Sequence, residues 1–407
     1  CRATAWLLAK VGQPPVVSEM LAGVLLGPSL LGLVAPAVQD ALFPEPLYPV
    51  LYVAGQVGLV IFMFQAGYAF VNHRVPNLAG TAGAVSLAGI VTPVVLGVLL
   101  VVVTANRVPV LAEGVPFGVS AAFVGVTLAI TAFPMLARII TERGQAGTRH
   151  GSIALASGAI DDVMAWVLLA VVLAAASGEP GPAMVTVGGG VLFALALWLG
   201  GRRVTTSLLQ SPRLNESSRT LAVVALLFAA AWYTDEIGLY AVFGAFSLGV
   251  VMPQHPNTDR VIATITPVGQ IVFLPLFFTY SGLHTEFGLL GQPSVLLFAL
   301  SCVILAIVGK FGSCWTAARL RGEPNTVALR IGALMNARGL MQLIALNVGL
   351  AAGIVNSTLF TALVLVALVT TLMTTPLLSW IERWERGQAR RAATVRPEPV
   401  PVNQEVA

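Results

Sequence analysis

Long apolar runs separated by short clusters of Pro, Gly and charged residues recur along the whole chain. A hydrocarbon core about 30 Å thick takes roughly 20 apolar residues per helix. The runs therefore predict thirteen helices, over about 1–12, 16–34, 50–71, 78–104, 117–141, 150–176, 183–201, 220–234, 237–251, 261–281, 293–318, 326–350 and 356–381. The pair 220–234 and 237–251 is short and divides at Asp235 and Glu236. The first run opens at Cys1 without an initiator Met and reads as a truncated helix; residues 1–13 show neither the basic start nor the small-residue exit site of a signal peptide.

The loops set the orientation. Eighteen Lys and Arg residues fall in alternate loops and the carboxyl tail, from Lys10 and Arg74 through the Arg138, Arg143, Arg149 cluster to Arg383 and beyond, against Arg107 alone in the opposite loops. Because basic loops stay cytoplasmic, this predicts an odd number of spans, with the amino end outside and the tail 382–407 inside. Thirteen spans divide into six, a linker over 183–201, and six. An offset of seven makes helices 5 and 12 cross in opposite senses, as an inverted-topology repeat requires. Both are interrupted at comparable places, by Thr131-Ala-Phe-Pro134 and by Asn336-Ala-Arg-Gly339.

Composition sharpens the class. Of 407 residues, 57% are hydrophobic and only 10% charged, with a mean hydropathy of +0.87, where a soluble domain carries about 25% charged residues. The chain is all-α, polytopic and membrane-embedded, with no room for a sizeable soluble domain. A net charge of +4 marks topology here, since no basic run interleaves with aromatics to suit nucleic acid. The triple Gly188-Gly189-Gly190 lies inside an apolar helix, where close packing explains it better than phosphate binding. Cys1, Cys302 and Cys314 have no metal or disulfide spacing, and His73, His150, His255 and His284 are scattered over loops on both sides. His150, at the cytoplasmic mouth of helix 6, is a pH-sensing candidate. No cofactor is implied.

Charges at bilayer depth cost at least about 2.5–3.5 kcal/mol each and mark function. Asp161 and Asp162 stand side by side in mid-helix 6. Neighbours on a helix differ by about 100° in direction, so one carboxylate can face a neutralising cation while the other faces water and an ion. The same divergence argues against an intramembrane aspartyl protease, whose carboxylates converge. Lys310, within an apolar run, has two readings: pairing with one of these Asp residues, or snorkelling to the cytoplasmic face. Pro134 lacks an amide hydrogen and frees a carbonyl one turn back. Asn336 and Gly339 weaken helix 12, and such unwound backbone survives in a membrane only beside a cavity or protein. Arg338 either compensates carbonyl ends at this break or sits as a helix-end charge at the inner interface. Glu19, near the start of helix 2, is interfacial or part of the ion route, with Ser157 and Gln342 as further route candidates.

Five segments carry a resemblance: Gln13-Pro-Pro through Leu26-Gly-Pro28, Thr131-Ala-Phe-Pro-Met-Leu-Ala-Arg138, Ala159-Ile-Asp-Asp-Val163, Pro275-Leu-Phe-Phe-Thr-Tyr-Ser-Gly282 and Asn336-Ala-Arg-Gly-Leu-Met-Gln342. Together, in this order, they resemble the cation:proton antiporter-2 family of sodium/hydrogen exchanger-like proteins. The resemblance implies a homodimer, with dimerisation or panel helices over about 1–71 and 220–281 and a mobile core over about 78–176 and 293–381. It also implies exchange of Na⁺ or K⁺ for H⁺ by an elevator-like motion, in the service of pH homeostasis. By position, Asp162 resembles the ion- and proton-carrying Asp, Asp161 its neighbour, and Lys310 the Lys that pairs with Asp161 in electrogenic members. Thr131 and Asn336 fall at the broken-helix crossing. Gln342 departs from the Glu common after the Arg-Gly pair. A cation channel or efflux protein of the same fold and a sodium-coupled organic-anion symporter are the competing readings. Twenty Arg against two Lys fit a GC-rich bacterium, so the expected location is a bacterial inner (plasma) membrane.

Overall fold

The computed structural model describes residues 15–70, 78–104, 108, 110–112, 114–176 and 180–395. Among these residues all regular elements are helical. Ten helical segments are long and apolar enough to cross a membrane, and two shorter apolar helices, Ser18–Val34 and Ala241–Val251, accompany them. Each predicted run from 16–34 onward has a counterpart among these segments. The predicted first helix lies outside the described residues, as do His73, Cys1 and the end of the tail from 396, so the count of thirteen is not confirmed.

The principal helices are α1 (Pro15–Leu26), α2 (Tyr48–Phe70), α3 (Ala79–Thr104), α4 (Phe117–Ala129), α5 (Phe133–Glu142), α6 (Arg149–Ala176), α7 (Pro180–Ala196) and α8 (Glu216–Glu236). They continue with α9 (Ala241–Val251), α10 (Pro256–Val268), α11 (Leu274–Leu283), α12 (Pro293–Ile307), α13 (Ser313–Leu320), α14 (Asn325–Met335), α15 (Gly339–Ala351) and α16 (Ser357–Val395). One group packs α1 and α2 against α11, with α9 against α2. A second group packs α3 on α4, α6 and α13, and sets α16 against α12 and α15. In the most apolar 18-residue stretch of the spans containing α4–α5 and α14–α15, 89% and 100% of the residues are buried, against 6% in that of the span Met184–Gln210. The interrupted helices therefore lie at the centre of the protein.

Local sequence explains the breaks. Pro134 stands in the first turn of α5, and the preceding Ile130 is extended, with φ −58° and ψ 133°. In the second break Gly339 takes φ +51°, a left-handed conformation open to glycine and strained for other residues. The two breaks meet: the Ala132 amide donates to the Ala337 carbonyl at 3.0 Å. The division between α8 and α9 falls after Glu236, where Gly238 and Tyr240 take φ +80° and +66°. A π-helical turn, Val308–Gly312, joins α12 to α13 and carries Lys310.

The structure extends the last helix. A polar tail is expected from 382, yet α16 runs on to Val395. Residues 382–395 contain no Pro and favour helix in their Glu, Arg, Ala and Gln content. Glu382 also pairs with Arg143 at 3.0 Å, and Glu385 with Arg330.

Helices α1 and α11 approach backbone to backbone through Gly23, Gly27 and Gly282, because small residues at such crossings maximise packing where lipid offers no hydrophobic drive. A methyl group at Gly23 would overlap the Phe278 carbonyl, and one at Gly282 would overlap the Gly23 carbonyl. Gly282→Val is expected to lower stability by about 1–3 kcal/mol, the usual range for overpacking. Thermal unfolding in detergent checks this.

Candidate ion-binding site

Asp161 and Asp162 lie midway along α6, both 1% exposed. Asp161 is fully engaged: its Oδ2 faces Lys310 Nζ at 2.6 Å and accepts from the Thr131 hydroxyl at 2.8 Å. Its Oδ1 accepts from the Ser86 hydroxyl at 2.5 Å. Lys310, with no exposed surface, also donates to the Ala129 carbonyl at 2.6 Å, one of the carbonyls at the end of α4. Of the two readings of Lys310, the structure supports pairing: the π-helical turn directs the side chain inward and it does not snorkel.

Asp162 is different. Both its carboxylate oxygens are buried without a hydrogen-bond partner. Asp162 borders a cavity of ≈ 10 Å³ shared with Ile130, Trp166 and Met341, room for about one water-sized guest. The Trp166 indole N–H, one helical turn along, is likewise buried and unpartnered. Met341 also borders a larger opening of ≈ 300 Å³, whose lining includes Glu19, Gln65, Ala132, Pro134 and Arg138. The larger opening reaches from the Arg-rich helix ends to the crossing, and Met341 partitions it from Asp162.

The other sequence candidates separate into two sets. At the crossing, Thr131 Oγ1 lies within 3.2 Å of the Met335 carbonyl as well as near Asp161, so its one proton serves either acceptor. Asn336 is buried with both amide atoms unpartnered. Arg338 is fully buried; one nitrogen, Nη2, donates to the Ala306 carbonyl at 2.9 Å, while Nε and Nη1 have no partner. The guanidinium thus bonds α12 just before the π-helical turn at Val308–Gly312. The Gly339 amide donates to the Thr371 hydroxyl at 2.8 Å, and Pro134 and Glu19 border the larger opening.

Ser157 and Gln342 stand apart from both cavities. The Ser157 hydroxyl donates to the Ala82 carbonyl of α3 at 3.1 Å, and Gln342 Nε2 to the Leu363 carbonyl of α16 at 3.1 Å. The geometry therefore joins each to a neighbouring helix and leaves the cavity lining to others. Gln342 follows Met341 by one position, which turns it about 100° away from the cavity. Ser86, Trp166 and Met341 join the site without having been singled out by the sequence. The signal for Trp166 was its i+4 spacing from Asp162.

The chain as a whole is similar to known proteins. A family profile described as the transmembrane sodium/hydrogen exchanger matches residues 2–384. The chain belongs to this family. It is 36% identical over 380 residues to the Na⁺/H⁺ antiporter NhaS4 of Synechocystis sp., covering 91% of this chain and 92% of that one. It is 32% identical over 383 residues to K⁺/H⁺ antiporter 1 of Saccharomyces cerevisiae, covering 90% of this chain but 43% of that longer one. The sodium proton antiporter MjNhaP1 of Methanocaldococcus jannaschii shares the fold at a TM-score of 0.64 and 15% identity, over 93% of each chain.

Sodium/hydrogen exchanger membership, with the apolar spans, makes this an integral membrane protein of a transporter family. The family resemblance seen in the motifs holds across the chain. In this exchanger-family chain the paired Asp161 and the unpaired Asp162 occupy chemically distinct settings one residue apart.

Proposed function

We propose that this protein exchanges a monovalent alkali cation, Na⁺ or K⁺, for protons, with Asp162 binding the two alternately. The observation that carries the reading is a carboxylate at bilayer depth whose oxygens have no protein partner and which faces a one-guest cavity. A buried charge without a partner is costly, so the resting site takes up a proton or a cation. Because the cavity has room for a single guest, the two compete. That size also favours an alkali ion over an organic anion.

Asp161 supplies the fixed half of the site. Lys310, Thr131 and Ser86 hold it in place, and the unwound backbone at the crossing offers carbonyls to a desolvated cation. Loading Asp162 neutralises it, so the helices that carry it, α3–α6 and α12–α16, slide past α1, α2, α9 and α11 in an elevator-like step. An empty, ionised site is held back by the cost of moving charge through hydrocarbon. The protein works as a homodimer in a bacterial inner membrane, and the Arg-rich end, with the larger opening, faces the cytoplasm.

Proton release from reconstituted vesicles, reported by a pH-sensitive dye and scanned over Li⁺, Na⁺, K⁺ and Rb⁺, tests this. The expected result is a flux that saturates with cation concentration and ranks the four ions. Cation current without coupled proton movement would instead indicate a channel.

A further inference from the structure

Three openings follow one another along a single face of α15. Met341 borders the opening at the Arg-rich end and the Asp162 cavity. One turn on, Ile344, Asn347 and Val348 border a second small cavity of ≈ 10 Å³, closed on the other side by Tyr52, Gln56 and Tyr240. Ala351 then borders a basin of ≈ 390 Å³ with Tyr48, Tyr52 and Tyr280. On α2 the order runs in reverse, from Gln65 through Gln56 to Tyr48. The openings thus line up between α2 and α15 from one end of the molecule toward the other, as separate spaces, with Met341 between the first opening and the Asp162 cavity and Ile344 on the wall of the middle one.

Asn347, 6% exposed, is the polar group that α15 contributes to the middle cavity, opposite Gln56 and the two tyrosines. Its Nδ2 donates to the Leu343 carbonyl at 2.8 Å and to the Ser281 hydroxyl of α11 at 2.8 Å. A carbonyl can only accept, so the amide nitrogen is fixed on that side. The Oδ1 is then turned away from both partners, buried and without a hydrogen bond. An unpartnered amide oxygen beside a cavity of one-guest size is a hard ligand of the kind that replaces the hydration shell of an alkali ion. Leaving it unused would cost about as much as an unmade buried hydrogen bond.

We propose that Asn347 Oδ1 is a second station for the transported alkali cation, on the route between the tyrosine-lined basin and Asp162. The proposal rests on the exchange reading of Asp162. The cation passes from the basin to Asn347, sheds water there, and continues to Asp162 once Ile344 and Met341 move with α15. Tyr52, which borders both the cavity and the basin, stands between them in this conformation, and the Tyr240 hydroxyl donates to the Val348 carbonyl at 3.3 Å on the cavity wall.

The test pairs turnover in proteoliposomes with cation-dependent thermal stabilisation in detergent, using Na⁺ and K⁺ as probes. Asn347→Leu, and Asn347→Ala as the variant that cannot overpack, are expected to lower turnover roughly tenfold, as for loss of a polar partner to a charged guest. The cation concentration that half-stabilises the protein should stay unchanged, because Asp162 is intact. Ser281→Ala removes the cross-helix hydrogen bond but keeps the oxygen, and should stay within about twofold of the parent. Parental turnover in both Asn347 variants overturns the proposal, as does an equal loss in Ser281→Ala, which would place the effect in the α11–α15 contact. Asp162→Asn run alongside separates the two readings: if it still exchanges, the Asp162 assignment fails, whereas silent Asn347 variants beside an inactive Asp162→Asn remove only the second station.

Discussion

Asp162→Asn is expected to abolish cation-dependent proton flux in proteoliposomes while leaving the protein as stable as the parent or more so. The two halves of this expectation come from the same fact. Both Asp162 oxygens are buried without partners, so the ionised form contributes nothing to packing and carries a desolvation cost of several kcal/mol. An amide of nearly the same shape removes that cost. It also removes the one group, among the described residues that line the ≈ 10 Å³ cavity, that can release a proton or balance an alkali ion, since the remaining lining of Ile130, Ala165, Trp166, Leu169 and Met341 is uncharged. Flux at the level of protein-free vesicles, together with an unchanged or raised melting temperature, is the expected pair. Asp162→Glu keeps the charge but moves it by one methylene inside a cavity sized for one guest, so it should retain partial flux with an altered ranking of Li⁺, Na⁺, K⁺ and Rb⁺. Exchange that persists in Asp162→Asn would remove the carboxylate from the mechanism. A melting temperature lowered by many degrees would show that Asp162 holds the fold together through a partner.

Much of this architecture is legible in the sequence because the bilayer imposes it. Apolar length predicts the spans from 16–34 onward, and Pro134 and the Asn336-Ala-Arg-Gly339 run locate the two interruptions to within a residue or two. The expectation that adjacent carboxylates point different ways follows from the 100° step of the helix, and Asp161 meets Lys310 while the Asp162 oxygens meet no hydrogen-bond partner. What the sequence does not convey is which way a polar side chain turns when several neighbours compete for it. Ser157 and Gln342 are polar residues in apolar helices, as Ser86 is, yet only Ser86 reaches the Asp pair. The difference lies in which helix packs opposite, a tertiary fact. Lys310 depends on a π-helical turn, and one extra residue per turn changes the direction of everything beyond it. Met341 reads as an ordinary apolar residue until the cavities on its two flanks are seen. The extension of α16 to Val395 is supported by ion pairs from Glu382 and Glu385 to Arg143 and Arg330, whose partners lie far away in the chain.

Lys310→Ala carries the largest expected loss of stability. The variant leaves Asp161 buried, still accepting from Thr131 and Ser86 but without its counter-ion, and removing one member of a buried pair costs about 3–5 kcal/mol. The melting temperature in detergent should fall by several degrees or more. Asp161→Asn/Lys310→Met removes both charges while keeping comparable volume, and should recover most of that loss, because the pair's mutual attraction largely repays desolvation and little more. A cycle closed with Asp161→Asn and Lys310→Met as the single variants reads the coupling at the 2.6 Å contact. Transport supplies an independent measure. If cation binding beside Asp161 loosens this contact and Lys310 gives up its proton, the parent moves more than one proton per cation and its flux responds to membrane voltage. The folded double variant, which has no ammonium to deprotonate, should then exchange without that voltage response. An unchanged response would confine Lys310 to structure and leave Asp162 to carry the stoichiometry alone.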